Sequence, residues 1–135
     1  MIEFRTDLSG FTGEGKLNVV LFEPEIPPNA GNVARLCAAT DSRLIMVGKL
    51  GFELSDRHLK RAGLDYWPKV ELFHITSLDE LWSAFPRERF HLVSTKAHTT
   101  HTSVRFHKGD FLVFGRESAG LPPEFLLNNL DRGIT

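Results

Sequence analysis

The chain has 135 residues, a formal net charge of −1 at neutral pH, 41% hydrophobic and 24% charged residues, the profile of one ordinary soluble domain rather than a disordered or fibrous chain. Apolar runs are only a few residues long, as in Phe111-Leu112-Val113-Phe114, which excludes a membrane-spanning helix, and the first residues, with Glu3, Asp7 and no long apolar core, do not read as a signal peptide. The single Cys37 excludes an internal disulfide and fits a reducing, cytoplasmic setting, while the near-neutral charge excludes a protein coated in positive charge but not a local basic strip on RNA.

Residues 1–16, with Gly10, Gly13 and Gly15 and little apolar pattern, read as a loose leader ahead of a domain spanning 17–135. Leu17-Asn18-Val19-Val20-Leu21-Phe22 is a short, nearly continuous apolar run, as in a strand covered on both faces. A helix is expected from about Asn32 to Thr40, with Val33, Leu36 and Cys37 on its buried stripe. Arg43 to Gly48 reads as a second strand. Ser55 caps a short helix through Arg61, stopped near Gly63. Val70 to His74 is a third strand, and Ser77-Leu78-Asp79-Glu80 is a capping box that opens a helix carrying Leu81, Trp82 and Phe85. Phe90 to Ser94 and Asp110 to Phe114 are the fourth and fifth strands. Pro122 and Pro123 suit the first turn of a last helix, and Arg132 to Thr135 reads as the opening of a further strand. Strands alternating with helices at this spacing predict an α/β fold, a mostly parallel sheet with helices on both faces.

Two polar, glycine-bearing loops follow apolar strands: Glu23 through Asn32, and Gly115 through Pro123. Loops at strand ends are where an open α/β sheet builds a site. Asn29-Ala30-Gly31-Asn32 reads either as a helix N-terminus that receives an anion or as a plain turn and cap. Arg35, one turn beyond Asn32, needs either a structural carboxylate or an anionic substrate. Glu117 is placed to pair with Arg35, to position a substrate group, or to sit solvated, and Gly120 permits a left-handed turn. No Gly-x-Gly-x-x-Gly and no Gly-Lys-Ser/Thr follows a strand, which disfavours dinucleotide and P-loop readings.

Six histidines invite a metal reading, but no ligand set is completed around His98 and His101, so no metal is expected. The same segment forms a basic strip: Lys96, His98, His101, Arg105, His107 and Lys108 occur with no acidic residue until Asp110. Such a strip neutralises phosphates or is a solvated loop. Arg57, Lys60 and Arg61 form a second basic cluster, and no nucleophile–base pair stands out.

Three ordered stretches resemble a known family. Glu23-Pro24-Glu25-Ile26-Pro27-Pro28-Asn29-Ala30-Gly31-Asn32 followed by Arg35, then Arg61-Ala62-Gly63-Leu64-Asp65-Tyr66, then Phe114-Gly115-Arg116-Glu117 through Gly120-Leu121-Pro122 look like the SPOUT RNA methyltransferases. More narrowly they resemble the tRNA (cytidine/uridine-34)-2′-O-methyltransferases. The resemblance implies an α/β fold with a C-terminal trefoil knot, S-adenosylmethionine as donor, a homodimer, and methylation of the wobble ribose of tRNA at its anticodon stem-loop. It assigns Arg35, with Asn32 and Glu117, to catalysis, Asn29 and Gly31 to the motif around Arg35, and Ser94, Thr95, Lys96 and Gly115 to the donor. Alongside it, the residues themselves suggest Gly120 for the donor loop and Asn29, with Arg57, Arg61, His101 and Arg105 of the basic clusters, for RNA. An arginine holds its proton firmly, so orienting the 2′-hydroxyl and stabilising developing charge is the role Arg35 suits.

The family's third motif, a strand followed by a Ser-x-Asn loop and a helix, has no counterpart after Ile134-Thr135. The expectation is therefore a C-terminally truncated chain with an incomplete knot and weak or no donor binding. The competing reading is a non-catalytic RNA-binding or assembly remnant; a nucleotide-binding Rossmann-like protein is disfavoured.

Overall fold

A computed structural model describes residues 4–25, 27–51 and 70–135. The expected helix from Ser55 to Arg61, the Arg61–Tyr66 motif, and the site residues Arg57 and Arg61 lie outside the described residues.

The elements follow one another as β1 (Asn18–Phe22), α1 (Pro27–Thr40), β2 (Arg43–Val47), β3 (Leu72–Ile75), α2 (Leu78–Ala84), β4 (Phe90–Val93), β5 (Phe111–Phe114), α3 (Pro123–Asn128) and β6 (Gly133–Ile134). The strands form one sheet in the order β3-β2-β1-β5-β4-β6, and every pairing is parallel. The α/β expectation therefore holds, including the strand that opens at the end of the sequence. The strands are rich in Val, Ile, Leu and Phe because a parallel sheet is covered on both faces.

One face carries the larger core. Val20, Ile45, Phe73, Phe90, Phe111 and Val113 pack there with Leu78 and Leu81 of α2 and Leu126 of α3. Phe90 stacks on Phe111 with ring centroids 4.7 Å apart. On the other face Leu21, Leu44, Met46 and Leu72 pack against Ala30, Ala34 and Cys37 of α1. Ser77 caps α2 by accepting the Glu80 N–H at 3.2 Å, as the capping box predicts.

Helix α1 differs from expectation at its start. It begins at Pro27 rather than Asn32, because proline suits a first turn, where its missing N–H has no intrahelical partner. Asn29 and Gly31 are thus helical residues, not a turn before the helix. The buried stripe is Ala30, Ala34 and Cys37, and Leu36 is 63% exposed. The helix ends in a Schellman arrangement: Asp41 is left-handed at φ 54°, and Ser42 N–H reaches the Cys37 carbonyl at 2.9 Å.

Residues 4–16 are not loose in the structure. Arg5 bridges β3 at the sheet edge, donating its N–H to the Leu72 carbonyl at 2.9 Å and accepting from His74 at 2.8 Å. Phe11 packs on Phe73 and Phe85, with centroids at 4.5 and 5.7 Å. The partners that hold this segment are remote in sequence, so its local glycine-rich pattern misleads.

Candidate active site at the ends of β1 and β5

Strands β1 and β5 are parallel neighbours, with Leu21 opposite Phe114. After β1 the chain enters α1, which covers one face; after β5 it enters α3, which covers the other. The C-terminal ends of these strands are therefore a topological switch point, where an α/β sheet opens a crevice.

The crevice on the α1 side is a cavity of about 470 Å³. Asn29, Val33 and Leu36 line it from α1, and Phe114, Gly115 and Glu117 line it from β5 and its loop. Three residues singled out in the sequence, Asn29, Gly115 and Glu117, are thus brought to one place. Asn32 and Arg35 lie on α1 but are exposed and do not line this cavity. A larger cavity of about 650 Å³ lies between α2 and α3, where Glu23, Asp79 and Glu124 meet Trp82 and Phe125. It holds none of the expected site residues, and its carboxylates disfavour phosphate.

The loops after β1 and β5 are tied together reciprocally. Glu25 N–H donates to Glu117 Oε2 at 2.8 Å. In return Glu25 Oε1 accepts from Ser118 N–H at 2.9 Å and from its hydroxyl at 2.7 Å. The Ser118 hydroxyl, then its N–H, hold the Glu25 carboxyl below the usual glutamate range; slight desolvation opposes this and the Arg116 charge assists. Arg116 Nη1 lies 3.8 Å from Glu23, a residue in the left-handed region at φ 43°. Among the described residues, Arg116 Nε is the buried side-chain nitrogen without a hydrogen-bond partner. Local sequence reasoning gave Glu25 and Ser118 no role; each stands within a motif stretch, and nothing short-range reveals that they meet.

Gly115 is required by the turn itself. Arg116 and Gly120 exchange N–H···O bonds of 3.0 and 2.8 Å, and a Cβ on Gly115 would collide with the Gly120–Leu121 backbone. Gly120 is left-handed at φ 69°, with open space where its Cβ would stand.

Ser94, Thr95 and Lys96 follow β4. Val93 pairs with Phe114, so these residues begin level with Gly115 on the adjacent strand. Ser94 N–H donates to the Ile134 carbonyl at 2.9 Å, and its hydroxyl accepts from Lys96 N–H at 3.1 Å; Thr95 and Lys96 are exposed. In the basic strip, His98, His101, Arg105, His107 and Lys108 are exposed. His101 uses Nδ1 and its backbone N–H on the Thr135 carbonyl, at 2.8 and 2.9 Å, and so also holds the residue after β6. Cys37 is buried, its thiol pushed up to about 11 by burial, which makes it core rather than nucleophile. Among the described residues no group of three or more His, Cys, Asp or Glu is placed to hold a metal, and no helix is long and apolar enough to cross a membrane.

Comparison with known proteins agrees with this geometry. The family described as the SpoU rRNA methylase family matches residues 16–134. The tRNA (cytidine(34)-2′-O)-methyltransferase of Saccharophagus degradans is 50% identical over 115 residues, covering 81% of this chain and 71% of that protein. A solved structure concerned with 2-OH methylation of C/U34 on tRNA superposes with a TM-score of 0.76 at 45% identity, covering 89% of this chain and 80% of that one. A SpoU methyltransferase from Streptomyces viridochromogenes, solved with the cofactor AdoMet, shares the fold at 21% identity, with a TM-score of 0.72 and coverage of 90% and 48%. With a parallel sheet open at the β1/β5 crevice and a match across nearly its whole length, the chain belongs to the SpoU rRNA methylase family.

Proposed function

We propose that this protein transfers a methyl group from S-adenosylmethionine to the ribose 2′-hydroxyl of nucleotide 34, the wobble position, of a tRNA. The observation that carries this reading is the identity to the Saccharophagus degradans enzyme named for that reaction. The convergence of Asn29, Gly115 and Glu117 on one crevice supports it.

The residues at the ends of β4 and β5 fit such a donor chemically. Ser94 and Thr95 offer hydroxyls for a ribose, Lys96 an ammonium for a carboxylate, and Gly120 faces open space. Glu117, which lines the crevice, supplies negative charge suited to a sulfonium. When bound, the donor supplies a methyl already activated on sulfur, so the protein's task is placement. Arg35 orients the 2′-oxygen and stabilises the charge it gains as its proton passes to water at this exposed position. Asn32 and Asn29 hold the nucleotide beside it, while His101 and Arg105, with Arg57 and Arg61, neutralise RNA phosphates. A second copy of the chain covers the apolar side of the crevice, where Leu36 is 63% and Phe114 36% exposed, and the enzyme works in the cytoplasm.

The test is transfer of labelled methyl groups to an anticodon stem-loop carrying ribose or 2′-deoxyribose at position 34. Labelling of the ribose form alone is expected. Equal labelling of both, or of neither, overturns the reading.

A further inference from the structure

We propose that Glu25 and Ser118, acting with Glu117, are positioning residues that lock the loop after β1 to the loop after β5 and so set α1 against the methyl-transfer crevice. The proposal rests on the function given above and adds residues to it.

The geometry is reciprocal. Each loop supplies a carboxylate, and each carboxylate takes an N–H from the other loop: Glu25 N–H to Glu117 Oε2 at 2.8 Å, Ser118 N–H to Glu25 Oε1 at 2.9 Å. The Ser118 hydroxyl adds a third bond at 2.7 Å. The two loops are 92 to 93 residues apart in sequence, so no local turn accounts for the contact. Two glutamates placed side by side repel unless each is solvated by donors; here the donors are the opposite loops' own amides. Sheet pairing fixes β1 against β5 only as far as Leu21 opposite Phe114. Beyond it the β1 loop passes Glu25 and enters α1 at Pro27, the helix bearing Asn29, Asn32 and Arg35. The β5 loop passes Gly115 and turns back at Gly120. The clamp is therefore a side-chain link past the end of the β1–β5 ladder, next to the Arg116–Glu23 pair at 3.8 Å, between the segment leading into the helix carrying the arginine and the loop lining the crevice. It stands at the mouth and uses exposed polar atoms, as a device for aligning loops does, whereas a device for holding the core would be buried.

The experiment compares Glu25→Ala, Glu25→Gln and Ser118→Ala in the full chain. It measures kcat and KM for stem-loop methylation, thermal unfolding, and amide exchange at Glu25 and Ser118. A misplacement near 1 Å can lower a rate about a hundredfold. Glu25→Ala is accordingly expected to lower kcat by about tenfold to a hundredfold, with KM for RNA within about threefold and the melting temperature within about 2 °C. Glu25→Gln keeps an acceptor oxygen for Ser118 and should restore most of the rate; Ser118→Ala should fall between. Unchanged kcat in Glu25→Ala overturns the proposal, as does a loss of rate that tracks loss of folding. Exchange separates it from the functional reading. Unprotected Glu25 and Ser118 amides in an active wild type overturn the clamp and spare that reading. Protected amides in a wild type that transfers no methyl group overturn both the functional reading and the positioning role.

Discussion

At the N-terminal ends of the strands, Asn18, Arg43 and Arg89 give their polar atoms to the backbone of the leading segment and neighbouring turns. At the C-terminal ends, Glu25, Glu117 and Ser118 bind one another's loops instead. Asn18 is fully buried; its amide donates to the carbonyls of Gly13 at 3.0 Å and Asp110 at 3.3 Å, and its oxygen accepts from Arg43 at 3.2 Å. Arg43 also donates to the Glu14 carbonyl at 2.9 Å while lying over the Phe11 ring. Arg89 donates to the carbonyls of Gly109 and Thr12, at 2.9 and 3.1 Å, and lies over Phe85 and Phe111. Nearby, His91 and Asp110 form a buried pair at 2.9 Å. One end of the sheet is closed by groups whose loss leaves partners unsatisfied inside the protein. The other end is held by exposed bonds whose loss water can repair. Stability should therefore respond to changes at the first end and reaction geometry to changes at the second.

The largest expected effect is at the closed end. Phe11→Ala removes a ring packed on Phe73 and Phe85 beneath Arg43 and should cost about 3 kcal/mol. The shift of the urea midpoint measures it; a loss under about 0.5 kcal/mol would mean the leading segment is detached in solution and the contrast between the ends is false. Asn18→Ala comes next. It leaves the Gly13 carbonyl and an Arg43 nitrogen unpaired at a buried site, while the Asp110 carbonyl keeps the backbone N–H of residue 18, costing about 2 kcal/mol by the same measurement. Because Arg43 touches both residues, the double variant should depart from additivity by about 0.5 kcal/mol or more. Strict additivity would show that the closed end is a set of separate contacts rather than one network.

The asymmetry also explains what the sequence discloses. Strands are legible because parallel pairing demands unbroken apolar runs, and α2 because Ser77 and Glu80 carry their capping partner within one turn. The leading segment was misleading because its anchors, Phe73, Arg43 and Arg89, are distant in the chain. The start of α1 was obscured by Pro27, Pro28 and Gly31, which signal a turn locally yet are tolerated in a helix held by Ala30, Ala34 and Cys37. At the site, Asn29, Gly115 and Glu117 could be named because unusual residues follow apolar strands. That Glu25 answers Ser118 could not, since the pairing exists only once β1 and β5 lie side by side.

The smallest effect expected is also the most specific to the open end. Ser118→Ala removes the hydroxyl that is the first cause of the lowered Glu25 pKa but leaves the Ser118 N–H in place. A carboxyl whose folded value is depressed contributes stability above the ordinary glutamate range and loses it as pH falls through the lowered value. In the variant this loss should be smaller and complete at a higher pH, and the midpoint of Glu25, followed by carboxyl carbon resonances, should move part of the way back toward a free glutamate. The melting temperature at neutral pH should barely change, because the pair is solvent-exposed and screened. An unmoved midpoint would mean the hydroxyl bond is absent in solution, leaving the loops joined by the two amide bonds alone. A large loss of stability would place Ser118 among the groups that hold the fold and erase the distinction between the two ends of the sheet.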